Sequence, residues 1–186
     1  MDIQLQKNQI RQKLRQKRRQ FEPKDVANQK ITENLAYFIA QQMKPIKHIG
    51  LYYPMASEVS LLDFSKKYAT QYSFYLPKVV AGDIIFSHWD QQSTLTPDEL
   101  GILAPSSQTS FVPTLICVPL LGFTAQRQRI GQGAGYYDRY IAHVKSQSNI
   151  QPIYLGVAFE CQKLNDLPIE NHDQKLDYIL TESNIY

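Results

Sequence analysis

The sequence has little cysteine. Cys117 and Cys161 are the two in 186 residues, and neither belongs to a CxxC pair or a zinc spacing. That excludes a disulfide-stapled scaffold and suits a reducing compartment. Cys117 lies in the apolar run LICVPLL and reads as a small core residue. Long apolar runs are missing too: none is long enough to span a bilayer, so no membrane partner is expected. The first twenty residues hold no apolar stretch of the kind a secretory leader needs, and a cytoplasmic protein is expected. They are basic like a mitochondrial transit peptide, but rich in Gln and without Ser. Charge of one sign is scarce overall. The net charge of +3 implies no nucleic-acid partner by itself.

What is present suits one soluble α/β domain spanning residues 1–186, with 43% hydrophobic and 20% charged residues. Residues 3–20 and 25–42 carry helical stripes, the second closed by Pro45. Strands are expected at 46–54, 72–79, 83–89, 115–123, 153–159 and 176–181, with short helices at 59–69 and 136–145. Residues 91–112, which carry Ser, Thr, Pro and Gly, read as a long surface excursion. Strands alternating with helices argue a mostly parallel sheet flanked by helices.

The densest chemistry is GQGAGYYDRY, residues 131–140. Gly131, Gly133 and Gly135 leave backbone N–H groups open, and a helix starting near Gly135 adds its own unpaired N–H groups. Such a nest suits phosphate, with Arg129 beside it. The same glycines also suit a flexible turn. The spacing is neither a Walker loop nor the dinucleotide fingerprint. Asp138, close to a phosphate, implies a cation between them, and Mg²⁺ takes one or two carboxylates plus phosphate oxygens. Asp173, in NHDQKLD, is the second candidate; each aspartate could equally be a cap or turn residue.

The charge excess is local. Seven basic residues and no acidic one lie between Lys7 and Arg19. Lys7, Arg11 and Arg15 stack at i, i+4 and i+8, each like-charged pair costing about 0.2–0.5 kcal/mol. A bound anion would offset that; a solvated face or an RNA surface would share the pattern. Glu58, in YYPMASEVS, follows a strand end, where α/β sheets bind ligands. His48, His88 and His143 read as structural or exposed, and His172 adjoins Asp173.

Five ordered blocks resemble the 5-formyltetrahydrofolate cyclo-ligase family: KNQIR, YYPMASEVS, YLPKV, RIGQGAGYYDRY and LPIENHDQKLDYILTE. The resemblance implies a sheet sandwich similar to sugar-phosphate isomerases and CoA transferases. It also implies ATP- and Mg²⁺-dependent cyclisation of 5-formyltetrahydrofolate to 5,10-methenyltetrahydrofolate through a phosphorylated formyl group. ATP would contact Lys7, Asn8, Gln9, Ile10 and Arg11, together with Arg129, Ile130, Gly131, Gln132, Gly133, Ala134, Gly135, Tyr136 and Tyr137. Folate would contact Tyr53, Glu58 and residues Gln132 to Tyr136. Asp138 and Asp173 would hold the metal, with Arg129 and Asp138 catalytic. A monomer without nucleic acid is expected. Ala134, Thr124 and Arg127 depart from the residues usual in that family. A sugar-phosphate enzyme of similar fold would not need the paired aspartates, and an RNA-binding module would leave GQGAGYYD unexplained.

Overall fold

A computed structural model describes residues 2–147 and 150–186. Its elements, in chain order, are α1 (Ile3–Gln20), α2 (Lys24–Ala40), β1 (His48–Gly50), α3 (Leu62–Lys67), β2 (Ser73–Val80), β3 (Asp83–Trp89), β4 (Leu95–Pro97) and β5 (Leu103–Pro105). There follow β6 (Leu115–Pro119), β7 (Gly122–Thr124), β8 (Arg129–Ile130), α4 (Tyr136–Gln147), β9 (Ile153–Val157), a 3-10 turn over Glu160–Gln162, β10 (Lys163–Leu164) and β11 (Tyr178–Leu180).

The main sheet runs β11–β9–β6–β1–β2–β3. Its neighbours are parallel apart from the antiparallel hairpin β2–β3, registered from Phe74↔Trp89 to Val80↔Asp83. Strand side chains alternate between faces, so a strand covered on both sides must be apolar throughout. β6 shows this. Leu115 and Cys117 pack on the face covered by Ile31, Leu35 and Phe38 of α2. Ile116 and Val118 pack on the other, against Ile141 and Val144 of α4.

Helix α1 docks elsewhere. Leu14 packs with Leu121, Ile130 and Leu167 above a small sheet, β10–β7–β8. A Cβ on Gly122 of β7 would lie 2.5 Å from Leu14 Cδ1, so the helix sits directly on bare backbone. The Asp2 side chain caps its start, accepting from Gln4 N–H at 2.9 Å.

Several boundaries differ from the sequence-based expectation. The 46–54 strand contracts to β1, because the chain beyond Gly50 leaves the sheet and becomes a cleft wall. The 115–123 run divides into β6 and β7, which belong to different sheets. Helix α2 ends at Ala40, ahead of Pro45, and α3 covers only the middle of 59–69. The 91–112 excursion contains the antiparallel pair β4–β5, and Phe111 N–H closes its return by bonding Phe86 O at 2.9 Å. Strands of three residues carry too little periodicity to show in a sequence window.

Gly122→Ala is expected to destabilise the protein by about 1–3 kcal/mol, because the methyl group must displace Leu14. Denaturant unfolding followed by far-UV circular dichroism checks this.

Candidate active site

A cleft of about 380 Å³ opens where β1 and β6 end at their C-terminal edges. This is where open α/β sheets bind ligands. Tyr52, Tyr53, Met55 and Glu58 line one part of it, after β1; Pro119 and Leu120, at the end of β6, line another. Pro77, Val79 and Ile84 of the β2–β3 hairpin add an apolar wall, extended by Leu100 and Ile102 from the β4–β5 tip. The opposite wall is polar. It comprises Lys7 and Arg11 of α1, residues 129–138, and Glu170, His172 and Asp173.

Three arginines grip the glycine segment by its oxygens. Arg11 Nε donates to Gly131 O at 3.0 Å. Arg15 forks onto Gln132 Oε1 at 3.1 and 3.0 Å. Arg139 Nη1 donates to Ala134 O at 2.9 Å. Gly133 and Gly135 have φ of +114° and +71°, a region that glycine enters cheaply. A Cβ at these positions would meet Arg11 Cζ at 3.2 Å and Arg139 Nη1 at 3.1 Å, so the glycines also let the guanidinium groups lie against the chain. The carbonyls of Gly131 and Ala134 are therefore occupied, while among the described residues the N–H groups of 131–138 have no protein acceptor. Consecutive unpaired amides running into the start of α4 form an anion-binding concavity.

The charged groups around it are already paired. Lys7 Nζ lies 2.8 Å from Glu170 Oε2 and 2.6 Å from Asp173 Oδ2. Burial lowers the Lys7 pKa, but the two carboxylates outweigh it and hold the ammonium above its ordinary value. Arg11 differs: burial, then the Arg15 charge, pull its pKa down, and the more distant Asp173 and Glu170 charges do not make up the difference. Arg129 Nη2 bonds Asp138 Oδ1 at 2.8 Å, while its Nε is buried without a partner. The Tyr137 hydroxyl is likewise buried and unpartnered; burial, then the Glu58 charge, push its pKa well up. Both residues line the cleft; the Tyr140 and Tyr154 hydroxyls, outside it, are buried and unpartnered too.

Asp138 does not cap α4. Its Oδ1 accepts from Arg129 and from Gln174 N–H at 2.9 Å, which brings it beside Asp173. Asp173 Oδ2 accepts from Lys7 and from Glu170 N–H, closing a turn. Among the described residues, the second oxygen of each aspartate has no hydrogen bond. No three His, Cys, Asp or Glu side chains there form a metal cage.

The 5-formyltetrahydrofolate cyclo-ligase family profile matches residues 3–182. The chain belongs to that family. Membership places it among ligases. It is 31% identical over 181 residues to the 5-formyltetrahydrofolate cyclo-ligase of Mycoplasma pneumoniae, covering 95% of this chain and 98% of that one. The Mus musculus enzyme of the same name is 24% identical, with 94% and 93% covered. The 5,10-methenyltetrahydrofolate synthetase of Aquifex aeolicus superposes with a TM-score of 0.79 at 26% identity, covering 96% of this chain and 91% of that one. That of M. pneumoniae gives 0.70 at 30%, covering 95% and 98%.

Of the residues that the family resemblance marks in the sequence, Lys7, Arg11, Tyr53, Glu58, residues 129–138 and Asp173 all line this one cleft. Asn8, Gln9 and Ile10 do not. Asn8 Oδ1 accepts from Arg11, Gln9 is exposed, and Ile10 packs beside Leu14. The basic row is not a free surface, since Lys7, Arg11 and Arg18 are buried against the body of the protein. His172 lines the cleft with Nε2 at 4.0 Å from both Glu170 and Asp173. His48 Nδ1 pairs with the Tyr75 hydroxyl at 3.0 Å, outside the cleft.

Sequence reasoning missed three contributors. Glu170 shares Lys7 with Asp173. Arg18 reaches Glu58 Oε1 at 3.4 Å and Ser57 Oγ at 3.1 Å, fixing the loop after β1. The β4–β5 tip supplies apolar wall. The run of charge on α1 was the one visible signal; its long-range partners lie more than a hundred residues away for Lys7.

No helix among the described residues is long and apolar enough to cross a membrane.

The Lys7 pair sets a pH dependence. Burial opposes the Asp173 charge, but hydrogen bonds from Lys7 and from Glu170 N–H hold its carboxyl below the ordinary value. Its contribution is complete above the unfolded value of about 3.9 and is lost as pH falls through the lower folded value. The Lys7 contribution is complete below about pH 10.4 and lost as pH rises through its raised folded value. Lys7→Met is expected to cost about 1–3 kcal/mol near neutrality, because two partly buried carboxylates lose their cation. It should also flatten the fall in stability below about pH 4. Denaturant midpoints measured from about pH 3 to pH 7 check both effects.

Proposed function

We propose that this protein cyclises 5-formyltetrahydrofolate to 5,10-methenyltetrahydrofolate, using ATP and releasing ADP and phosphate. One observation carries the reading: residues 131–138, whose amides have no protein acceptor, line the same cleft as Arg11 and the aspartates Asp138 and Asp173. A triphosphate suits that wall. The apolar wall of Pro77, Val79, Ile84 and Ile102 suits a flat ring system, and Tyr53 and Glu58 offer polar contacts beside it. Family membership supplies the identity of that ring system as a folate.

The donor set fits Mg²⁺. Two carboxylates, each with an oxygen to spare and no further acidic ligand to complete a cage, suit a hard ion that fills its shell with phosphate oxygens and water. Such an ion would neutralise charge on the transferring phosphoryl group. We infer that nucleotide entry exchanges partners within the site. Lys7 and Arg129 would then turn from carboxylates to phosphate, leaving Asp173 and Asp138 to hold the ion.

A formamide oxygen is a poor leaving group. In the proposed reaction it attacks the γ-phosphorus, and the bond to the β–γ bridging oxygen breaks to release ADP. N10 then attacks the activated carbon, the C–O bond breaks with loss of phosphate, and N10 gives up its proton. The protein supplies alignment and charge, not a nucleophile. Glycine amides, Lys7, Arg11 and Arg129 bind phosphate oxygens, and the apolar wall excludes water. Ring closure within one molecule, once aligned, can gain about 7–11 kcal/mol of the barrier.

The test is ultraviolet detection of the methenyl product, with and without ATP and Mg²⁺, alongside ADP release. Product formation should require both. Asp138→Asn should keep the fold and lower kcat by about a hundredfold or more, as for loss of one preorganised charge-stabilising group. Product without nucleotide, or full turnover by that variant, contradicts the reading.

A further inference from the structure

The two walls of the cleft meet at one small turn. Ala81 and Gly82, between β2 and β3, have φ of +50° and +83°. In this two-residue hairpin turn the successive N–H groups converge on one acceptor, an anion nest of the turn type. Here the nest holds the protein's own carboxylate. Glu99, at the β4–β5 tip, accepts from Ala81 N–H at 2.7 Å and Gly82 N–H at 3.3 Å. Its neighbour Asp98 accepts from Val79 N–H at 3.0 Å and from Leu100 and Ile102 N–H at 2.8 and 3.0 Å. The tip that carries the apolar wall residues Leu100 and Ile102 is thereby tied to the turn.

The other side of the turn is held from the glycine segment. Arg139 Nη2 donates to Gly82 O at 3.1 Å, while its Nη1 donates to Ala134 O. Its guanidinium carbon lies 4.9 Å from the centre of the Tyr136 ring, and its Nε is 3.9 Å from Asp83. A continuous path of hydrogen bonds therefore runs from the apolar wall through Glu99, the turn and Arg139 to the phosphate-side loop.

We propose that Glu99 and Arg139 are positioning residues that couple the two halves of the cleft, so that ordering one wall by its ligand pre-orders the other. Neither needs to touch a substrate. The proposal rests on the two-substrate reading above. A ligand that settles the glycine loop fixes Ala134 O, and through Arg139 it fixes the turn on which the hairpin tip sits. By linkage, the enhancement must be the same in either order of addition.

The experiment is calorimetric. Binding of 5-formyltetrahydrofolate is measured with and without a saturating Mg²⁺ complex of an ATP analogue whose γ-phosphate cannot transfer. The proteins are wild type, Glu99→Ala, Arg139→Met and the double variant. Arg139→Met keeps the aliphatic stem over Tyr136. In the wild type the analogue should tighten folate binding about fivefold or more, within the usual range of coupling. Each single variant should lose at least about threefold of that enhancement, and the double variant should lose no more than either alone, as for two links in one chain. Glu99→Gln and Arg139→Lys, each retaining a hydrogen bond, should lose less, which separates the coupling from a folding defect. Independent binding of the two ligands to wild type overturns the proposal, as does unchanged coupling in the variants or additive loss in the double variant. Failure of the wild type to bind the analogue at all would instead overturn the nucleotide reading.

Discussion

The site depends on the docking of a basic helix against the carbonyl side of a glycine segment. A peptide unit cannot present its oxygen and its N–H to the same side. Arg11 and Arg139 take the carbonyls of Gly131 and Ala134, which turns the N–H of each of those peptide units away from the guanidinium groups. The glycines permit the required backbone and also leave room for the guanidinium groups. The anion-binding character of the loop is thus imposed partly from α1, whose own seat is Leu14 on the bare backbone of Gly122.

The same helix solves its own electrostatic problem in a way that serves the site. A row of like charges one turn apart is unfavourable in isolation. Lys7 and Arg18 each find carboxylates, at Glu170 with Asp173 and at Glu58. Arg11 finds carbonyl and amide oxygens but no countercharge in contact. The carboxylates bound by Lys7 and Arg129 include the two that suit a metal. The cleft therefore holds a set of groups paired cation against carboxylate. That arrangement limits the cost of burying so many ions, which is otherwise several kcal/mol each.

Legibility in the sequence followed the range of the interactions. The sheet strands with strong apolar runs, the three long helices and the glycine segment were readable because their signals are local. Asp138 was readable through its place directly after Tyr136 and Tyr137, and the ordered family blocks identified the chemistry. The pairing of Lys7 with Glu170 was not readable, nor was that of Arg18 with Glu58, because nothing near either residue marks a partner so distant. The β4–β5 hairpin was hidden by its brevity, although Asp98 and Glu99 organise it tightly. Ile10 carried a misleading signal. Its place between Lys7 and Arg11 suggested the cleft, yet helical geometry turns it toward Leu14.

The most direct test of the central claim is an amide ¹⁵N–¹H titration of the wild-type protein with a Mg²⁺ complex of a non-transferable ATP analogue. The largest shifts are expected on the backbone amides of residues 131–138, with slowed hydrogen exchange there and smaller changes at Lys7 and Arg11. Saturable binding that leaves those amides unshifted and exchanging as before would show that the nucleotide is held elsewhere, and would contradict the account.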